Sequence, residues 1–120
     1  MKLFGKTKPV KLWLDDCRDP KSSTMQMIYY TDNSWTWVKN VEEAKKFLNK
    51  GIVFFISFDN DLGDGLEEGY QLANWIEEQA ANGILKRMGW QIHSSNPVAA
   101  NKIKMAMLNA EKFWVEHELV

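Results

Sequence analysis

Three apolar runs in this chain stop abruptly at residues able to do chemistry. Val10 to Leu14 (V-K-L-W-L) ends at Asp15-Asp16, and Ile52 to Phe58 (I-V-F-F-I-S-F) ends at Asp59-Asn60-Asp61. Gly89 to His93 (G-W-Q-I-H) runs on into Ser94-Ser95-Asn96-Pro97. If the runs are parallel strands of one open sheet, all these polar residues share its carboxyl edge, where such sheets bind ligands. Two carboxylates brought together there repel by about 4 kcal/mol at an effective dielectric of about 20. A divalent cation relieves the repulsion, and so does a raised carboxyl pKa. Oxygen ligands with water suit Mg²⁺ or Mn²⁺. The expected metal ligands are Asp15, Asp16 and Asp59, with Asp61 supporting them from behind; the alternative is a set of structural or capping acids.

The third run adds an anion site beside that cation site. Ser94, Ser95 and Asn96 lead into a helix start, where free N–H groups and the helix dipole favour phosphate. Lys102, a turn or two further on, either helps or is an ordinary exposed lysine. His93 is a candidate general acid, base or ligand, or a hydrogen-bonded structural residue. Arg18, three residues past Asp15, either reaches a phosphate oxygen or pairs with an acid. Cys17 has no second cysteine or nearby histidine base and reads as loop filler. His117, far from these motifs, reads as bland. A cation site beside an anion site suits phosphoryl chemistry.

The elements that must carry these residues are legible from periodicity. Residues 10–14 and 52–58 read as buried strands, and 34–39 as a further strand in which Trp35 and Trp37 flank Thr36. Asn40 caps a helix with Glu43 at its third position, Val41, Ala44, Phe47 and Leu48 on one face, and Gly51 as its stop. A second helix is expected from about Glu68 to Asn82, and a last one capped by Asn96 with Pro97 at its first position. Residues 17–34 are polar and read mostly as a long loop, with Met25 to Tyr30 as its one candidate for order. The tail, Val115 to Val120, fits either a final strand or a continued helix. Strands that lead into helices predict a mostly parallel sheet of four or five strands in an α/β domain.

Composition narrows the setting. The chain has 120 residues, 45% of them apolar and 26% charged, which suits one domain spanning 1–120. Its net charge of −1 gives no reason to expect bulk nucleic-acid or membrane binding. Lys2, Lys6, Lys8 and Lys11 crowd the start and read as a solvated face. One cysteine, no apolar leader and no spanning run lead to an expected cytoplasmic location. The six tryptophans read mainly as core filler, with some available as contact surface.

Two motifs resemble a known fold family. L-W-L-D-D-C-R-D-P resembles the acidic pair closing the first strand of response-regulator receiver domains, and I-S-F-D-N-D-L-G with Gly69-Tyr70 resembles the stretch around their phosphoacceptor aspartate. That likeness implies a three-layer, flavodoxin-like fold in which Asp15 and Asp16 bind metal and Asp59 both binds metal and holds the phosphoacceptor position. Against ordinary receivers, the first helix looks absent, the lysine after a fifth strand has no counterpart, and I-H-S-S-N-P replaces a lone Ser or Thr. The combined pattern D-D-x-R-x-P, F-D-x-D-L-G, G-Y and H-S-x-N-P is more similar to the cyclic-phosphate-processing receiver-like domains of bacteria and phages, from Lys11 to about Asn101. Ala99-Ala100 depart from that pattern, where a glycine is expected.

The resemblance implies a metal-dependent phosphoesterase acting on a cyclic phosphate, either a cyclic nucleotide or an RNA end. On that reading Asp15, Asp16 and Asp59 hold the cation, and His93 protonates the leaving oxygen or positions water. Ser94 and Asn96 hold phosphate oxygens, Arg18 neutralises charge, and Asp61 is carried over with them. Two rival readings are a receiver phosphorylated on Asp59 and a non-catalytic binding module, such as a phage protein that binds a host partner.

Overall fold

The computed structural model describes residues 8–118. Its elements run β1 (Val10–Leu14), α1 (Ser23–Tyr29), β2 (Trp35–Val38), α2 (Val41–Asn49), β3 (Val53–Phe58), α3 (Gly69–Ala81), β4 (Gly89–Ile92) and α4 (Pro97–Glu118). The four strands form one all-parallel sheet in the order β2-β1-β3-β4. This is the expected α/β architecture.

The period of two in β1 divides its side chains between two unequal cores. Leu12 and Leu14 face a large cluster with Ile56 and Phe58 of β3, Ala44 and Leu48 of α2, Leu72 and Ile76 of α3, and Ile103, Met107 and Trp114 of α4. Trp13 points the other way, into a smaller cluster with Met25 and Trp35 and the half-buried Tyr29, Trp37 and Phe55. Three helices thus cover one face and α1 alone covers the other. The pairing slips between Val10 and Lys11 opposite Val53 and Phe55. Phe54 is the extra residue of this bulge and stands half exposed.

One sequence expectation changes and one open alternative is decided. The stretch 17–34 contains a complete short helix, α1, with Ser22 as N-cap accepting from the Met25 amide and Tyr30 as a left-handed C-cap at φ 55°. Only Met25 and Tyr29 turn inward, four residues apart, so the helix leaves almost no apolar period in the sequence. The tail is helical through Glu118, because Ala110 and Trp114 continue the buried stripe of α4. Among the described residues there is therefore no fifth strand; residues 119 and 120 of the expected tail lie outside them, as do Lys2 and Lys6.

The Asn40 and Asn96 caps hold as read, and the structure adds one on α3. Asn40 accepts from the Glu43 amide, and Glu43 in turn accepts from the Lys39 amide. Glu68 and Gln71 form a reciprocal capping box on α3, and Asn96 caps α4 through the Ala99 amide.

Candidate functional site at the carboxyl edge of the sheet

The parallel ladder continues one residue past β1, β3 and β4. The Asp15 amide bonds the Val38 carbonyl at 3.0 Å, the Asp59 amide that of Leu14 at 2.9 Å, and the His93 amide that of Phe58 at 2.9 Å. These backbone bonds carry Asp15, Asp59 and His93 to one rim. It lies where β1 has successive elements on either side, the point at which open sheets leave a crevice.

Asp15 organises this rim from a side chain with no solvent exposure. Its Oδ1 accepts from the amides of Cys17 (3.0 Å) and Arg18 (2.8 Å), which folds the D-D-C-R turn back on itself. Its Oδ2 accepts from Arg18 Nε (2.7 Å) and faces His93 Nε2 at 3.1 Å. Burial works against its charge, but the bond to His93, the two amides and the Arg18 charge together hold its pKa near about 2. The spacing of D-D-x-R is thus the spacing of one turn closed on one carboxylate.

Arg18 then reaches Asp59, with Nη2 at 3.2 Å from Asp59 Oδ1. Through one guanidinium the carboxyl groups of Asp15 and Asp59 lie less than a nanometre apart. Asp59 Oδ1 also accepts from the Asn60 amide at 2.8 Å. Burial and the nearby Asp15 and Asp16 charges outweigh that amide and Arg18, and raise the Asp59 pKa to about 6. The same Arg18 contact that serves Asp15 so well leaves Asp59 under-compensated, and although burial works against the Arg18 charge, the Asp15 and Asp59 carboxylates outweigh it and hold Arg18 as a cation.

His93 is 2% exposed as a residue, and its ring has no exposure at all. The ring stacks on Trp13 with centroids 3.7 Å apart and planes 4° from parallel, and the Tyr29 ring meets its edge. Nδ1 lies 2.7 Å from Ser57 Oγ and Nε2 faces Asp15, so both nitrogens are engaged inside the protein. Burial lowers its pKa despite the Asp15 carboxylate. Both ring nitrogens thus face protein groups in an unexposed ring, whereas the sequence expectation set His93 against substrate or water.

The other expected residues divide. Asp16 is exposed at the rim and lines a polar groove of about 550 Å³ with Asp61, Asp64 and Glu68. Asp61 accepts from the Asn60 side chain at 3.1 Å. Ser94 Oγ accepts from the Asn96 amide, and Asn96 Oδ1 is spent on the α4 cap. Lys102 lies over the Tyr70 ring, 4.6 Å from its centroid, so the ordinary-lysine reading fits its position. Cys17 is exposed, and desolvation with the Asp16 and Asp15 charges pushes its thiol pKa up, consistent with filler.

Several residues that position the site sit within the motifs without a reactive group to mark them. Ser57 and Trp13 alternate out of the large core and build the His93 cradle. Trp13 Nε1 also donates to the Arg18 carbonyl at 2.8 Å, and Trp37 Nε1 to the Asp15 carbonyl at 2.7 Å. Asn60, fully buried, donates to Glu68 and accepts from the Tyr70 amide. Gly69 explains the G-Y of the motif. A Cβ there would overlap the Asp59 carbonyl oxygen, so α3 can press against the Asp59 loop only with glycine at this position.

For a divalent cation, the donor set fits in part. The Asp15 carboxylate accepts from three protein donors and faces His93 with its fourth direction, so it is the least open of the three acids. Asp16 is open, and the raised pKa of Asp59 marks negative charge that one arginine does not balance. Asp16 and Asp59 therefore offer the carboxylate oxygens least taken up by protein donors, and Asp15 holds the turn that carries Asp16. An Asp15 oxygen, an Asp16 oxygen and the Cys17 sulfur also lie within 4.8 Å of one another. A hard cation is served by the carboxylates rather than the thiol.

A four-stranded parallel sheet with an acidic carboxyl rim defines a receiver-type, flavodoxin-like domain. The chain belongs to the cyclic-phosphate processing receiver domain family, whose sequence pattern matches residues 10–109. Among solved structures it is similar to a fusion of the yeast Spc42 trimeric coiled coil (amino acids 181–211) to another structure. The TM-score is 0.57 at 15% identity, covering 97% of this chain and 85% of that one. That likeness shows the fold alone. It is also similar, at a TM-score of 0.45 and 17% identity over 94% of this chain and 98% of that one, to the signal receiver domain of a protein designated a Luxo repressor from Vibrio parahaemolyticus. No curated protein matches the chain. No helix among the described residues is long and apolar enough to cross a membrane.

Proposed function

We propose that this domain hydrolyses a cyclic phosphate ester at the Asp15–Arg18–Asp59 rim, with Mg²⁺ or Mn²⁺ held by Asp16 and Asp59. The family's link to cyclic-phosphate processing supports the substrate class. The observation that carries the reading is Arg18. Its Nε and Nη2 are committed to Asp15 and Asp59, while Nη1 has no protein acceptor among the described residues, and the side chain is 29% exposed. A guanidinium fixed by two buried acids, with one edge left open, is a pre-oriented phosphate donor.

Asp15 keeps that guanidinium from rotating away. Asp59 and Asp16 supply the negative charge that draws a cation to the phosphate. When bound, the cation polarises a phosphate oxygen and lowers the pKa of a bound water. Ser94 and the Asn96 side-chain amide border the same edge and suit the non-bridging oxygens. The role first expected of His93 becomes one of alignment, since its ring lies beneath Asp15.

The test is turnover of 2′,3′- and 3′,5′-cyclic nucleotides with Mg²⁺ or Mn²⁺, against Asp59→Asn. Ring opening that needs the metal and disappears in the variant is expected. Equal rates for the two proteins across substrates and metals would overturn the proposal.

A further inference from the structure

A directional hydrogen-bond relay runs beneath the rim, through residues to which neither the family pattern nor the proposed mechanism gives a role. We infer that Gln91 and Ser57 are positioning residues that lock His93 as its Nε2–H tautomer, so that Asp15 is held as an acceptor and Arg18 is aimed at phosphate.

The polarity follows from the Asp15 end of the relay, and the Gln91 end agrees with it. At the Gln91 end, Nε2 lies 3.1 Å from Ser57 Oγ, and a side-chain amide nitrogen can only donate. Ser57 Oγ accepts from Gln91 and keeps its own proton to give to His93 Nδ1, 2.7 Å away. That donation needs a bare Nδ1, with the proton of the neutral ring on Nε2. At the Asp15 end, an ionised carboxylate can only accept, so the facing Nε2 at 3.1 Å must carry a proton. The neutral form favoured by burial then leaves Nδ1 bare. The Asp15 end sets this tautomer, and the Gln91–Ser57 bond fits it.

Geometry prevents the ring from escaping this assignment. Trp13 lies flat against one face, Tyr29 closes the edge, and Ser57 is fully buried. A proton on Nδ1 alone would set a bare nitrogen against the Asp15 Oδ2 lone pair, and a ring flip would replace both engaged nitrogens by ring carbons. Asp15 would then lose its His93 donor and, through the shared oxygen, its fixed geometry toward Arg18 Nε. Gln91 thus bears on the open edge of Arg18 from the far side of His93. The consequence for phosphate rests on the proposed function; the relay itself does not.

Gln91→Glu tests it, because glutamate has nearly the same shape and the opposite polarity. A carboxylate there accepts the Ser57 proton, and Ser57 Oγ must then accept from Nδ1. Long-range ¹H–¹⁵N spectra of ¹⁵N-labelled full-length protein read the tautomer directly, and 2′,3′-cyclic AMP titrated with Mg²⁺ reads the rim. The wild type is expected to show Nε2–H with bare Nδ1, and the variant a protonated Nδ1 with cyclic AMP affinity at least about tenfold weaker. A wild-type Nδ1–H tautomer overturns the relay, and this spectrum decides even if the variant does not fold. A folded variant with unchanged Nδ1 and affinity also overturns it. A wild type that binds no cyclic AMP sinks the phosphate reading, and the spectra then judge the relay by themselves.

Discussion

Replacing Asp59 by Asn should make the fold more stable at neutral pH while removing its chemistry. The Asp59 pKa is about 6 against 3.8 for the free side chain, with burial and the Asp15 and Asp16 charges as the causes. Keeping this carboxyl ionised in the folded state therefore costs roughly 3 kcal/mol at pH 7, at about 1.4 kcal/mol per pKa unit. The sign follows from proton binding. Below about pH 4 both the folded and unfolded states are protonated here, and the cost vanishes. Between about pH 4 and 6 the folded state holds more protons, so stability falls as pH rises. Above about pH 6 the full cost persists. Asn keeps an acceptor for the Asn60 amide and for Arg18 and carries no charge, so it should recover about 1–3 kcal/mol at pH 7.5 and nothing at pH 4. The assay is urea denaturation of both proteins with EDTA across pH 4–8. Adding Mg²⁺ should stabilise the wild type more than the variant, since a cation bound to the ionised site lifts the same penalty. An Asn variant no more stable at pH 7.5, or a difference that does not change with pH, would refute the electrostatic account of the rim.

Asp15 sets the opposite limb. Its depressed pKa, about 2, contributes roughly 2 kcal/mol above pH 4 that is lost as pH falls toward 2, so an acid titration of stability should turn downward there in the wild type and lose that limb in Asp15→Asn. Gly69→Ala should destabilise by at least about 3 kcal/mol in chemical denaturation, because its Cβ overlaps the Asp59 carbonyl oxygen and backbone must move. Arg18→Lys keeps the charge but cannot span both acids with an open edge. It should weaken cyclic-nucleotide affinity about ten- to a hundredfold by titration calorimetry, and wild-type affinity would remove Arg18 from the site. Trp13→Phe loses the donor to the Arg18 carbonyl and should cost about 1–3 kcal/mol, read with the loss of near-ultraviolet dichroism from the stacked ring.

The sequence determined the strands, the capped helices and the rim. β-branched and aromatic runs ending in Asp, Asn40 with Glu43, and Asn96-Pro97 are local signals with local causes, and parallel strands carry their ends to one edge by topology alone. Helix α1 escaped because seven residues with two inward side chains make no period above background. What each polar residue does there was decided by distance and burial. His93, Ser57 and Gln91 lie on two neighbouring strands, and nothing along the chain announces that Trp13 covers one ring face while Asp15 and Ser57 take both nitrogens. Arg18 could equally have faced solvent; the buried Asp15 carboxylate, folded back onto its own turn, is what fixed it. Charge compensation is a sum over neighbours in space, and that sum separates Asp15 near about 2 from Asp59 near about 6 although both end a strand in the same way.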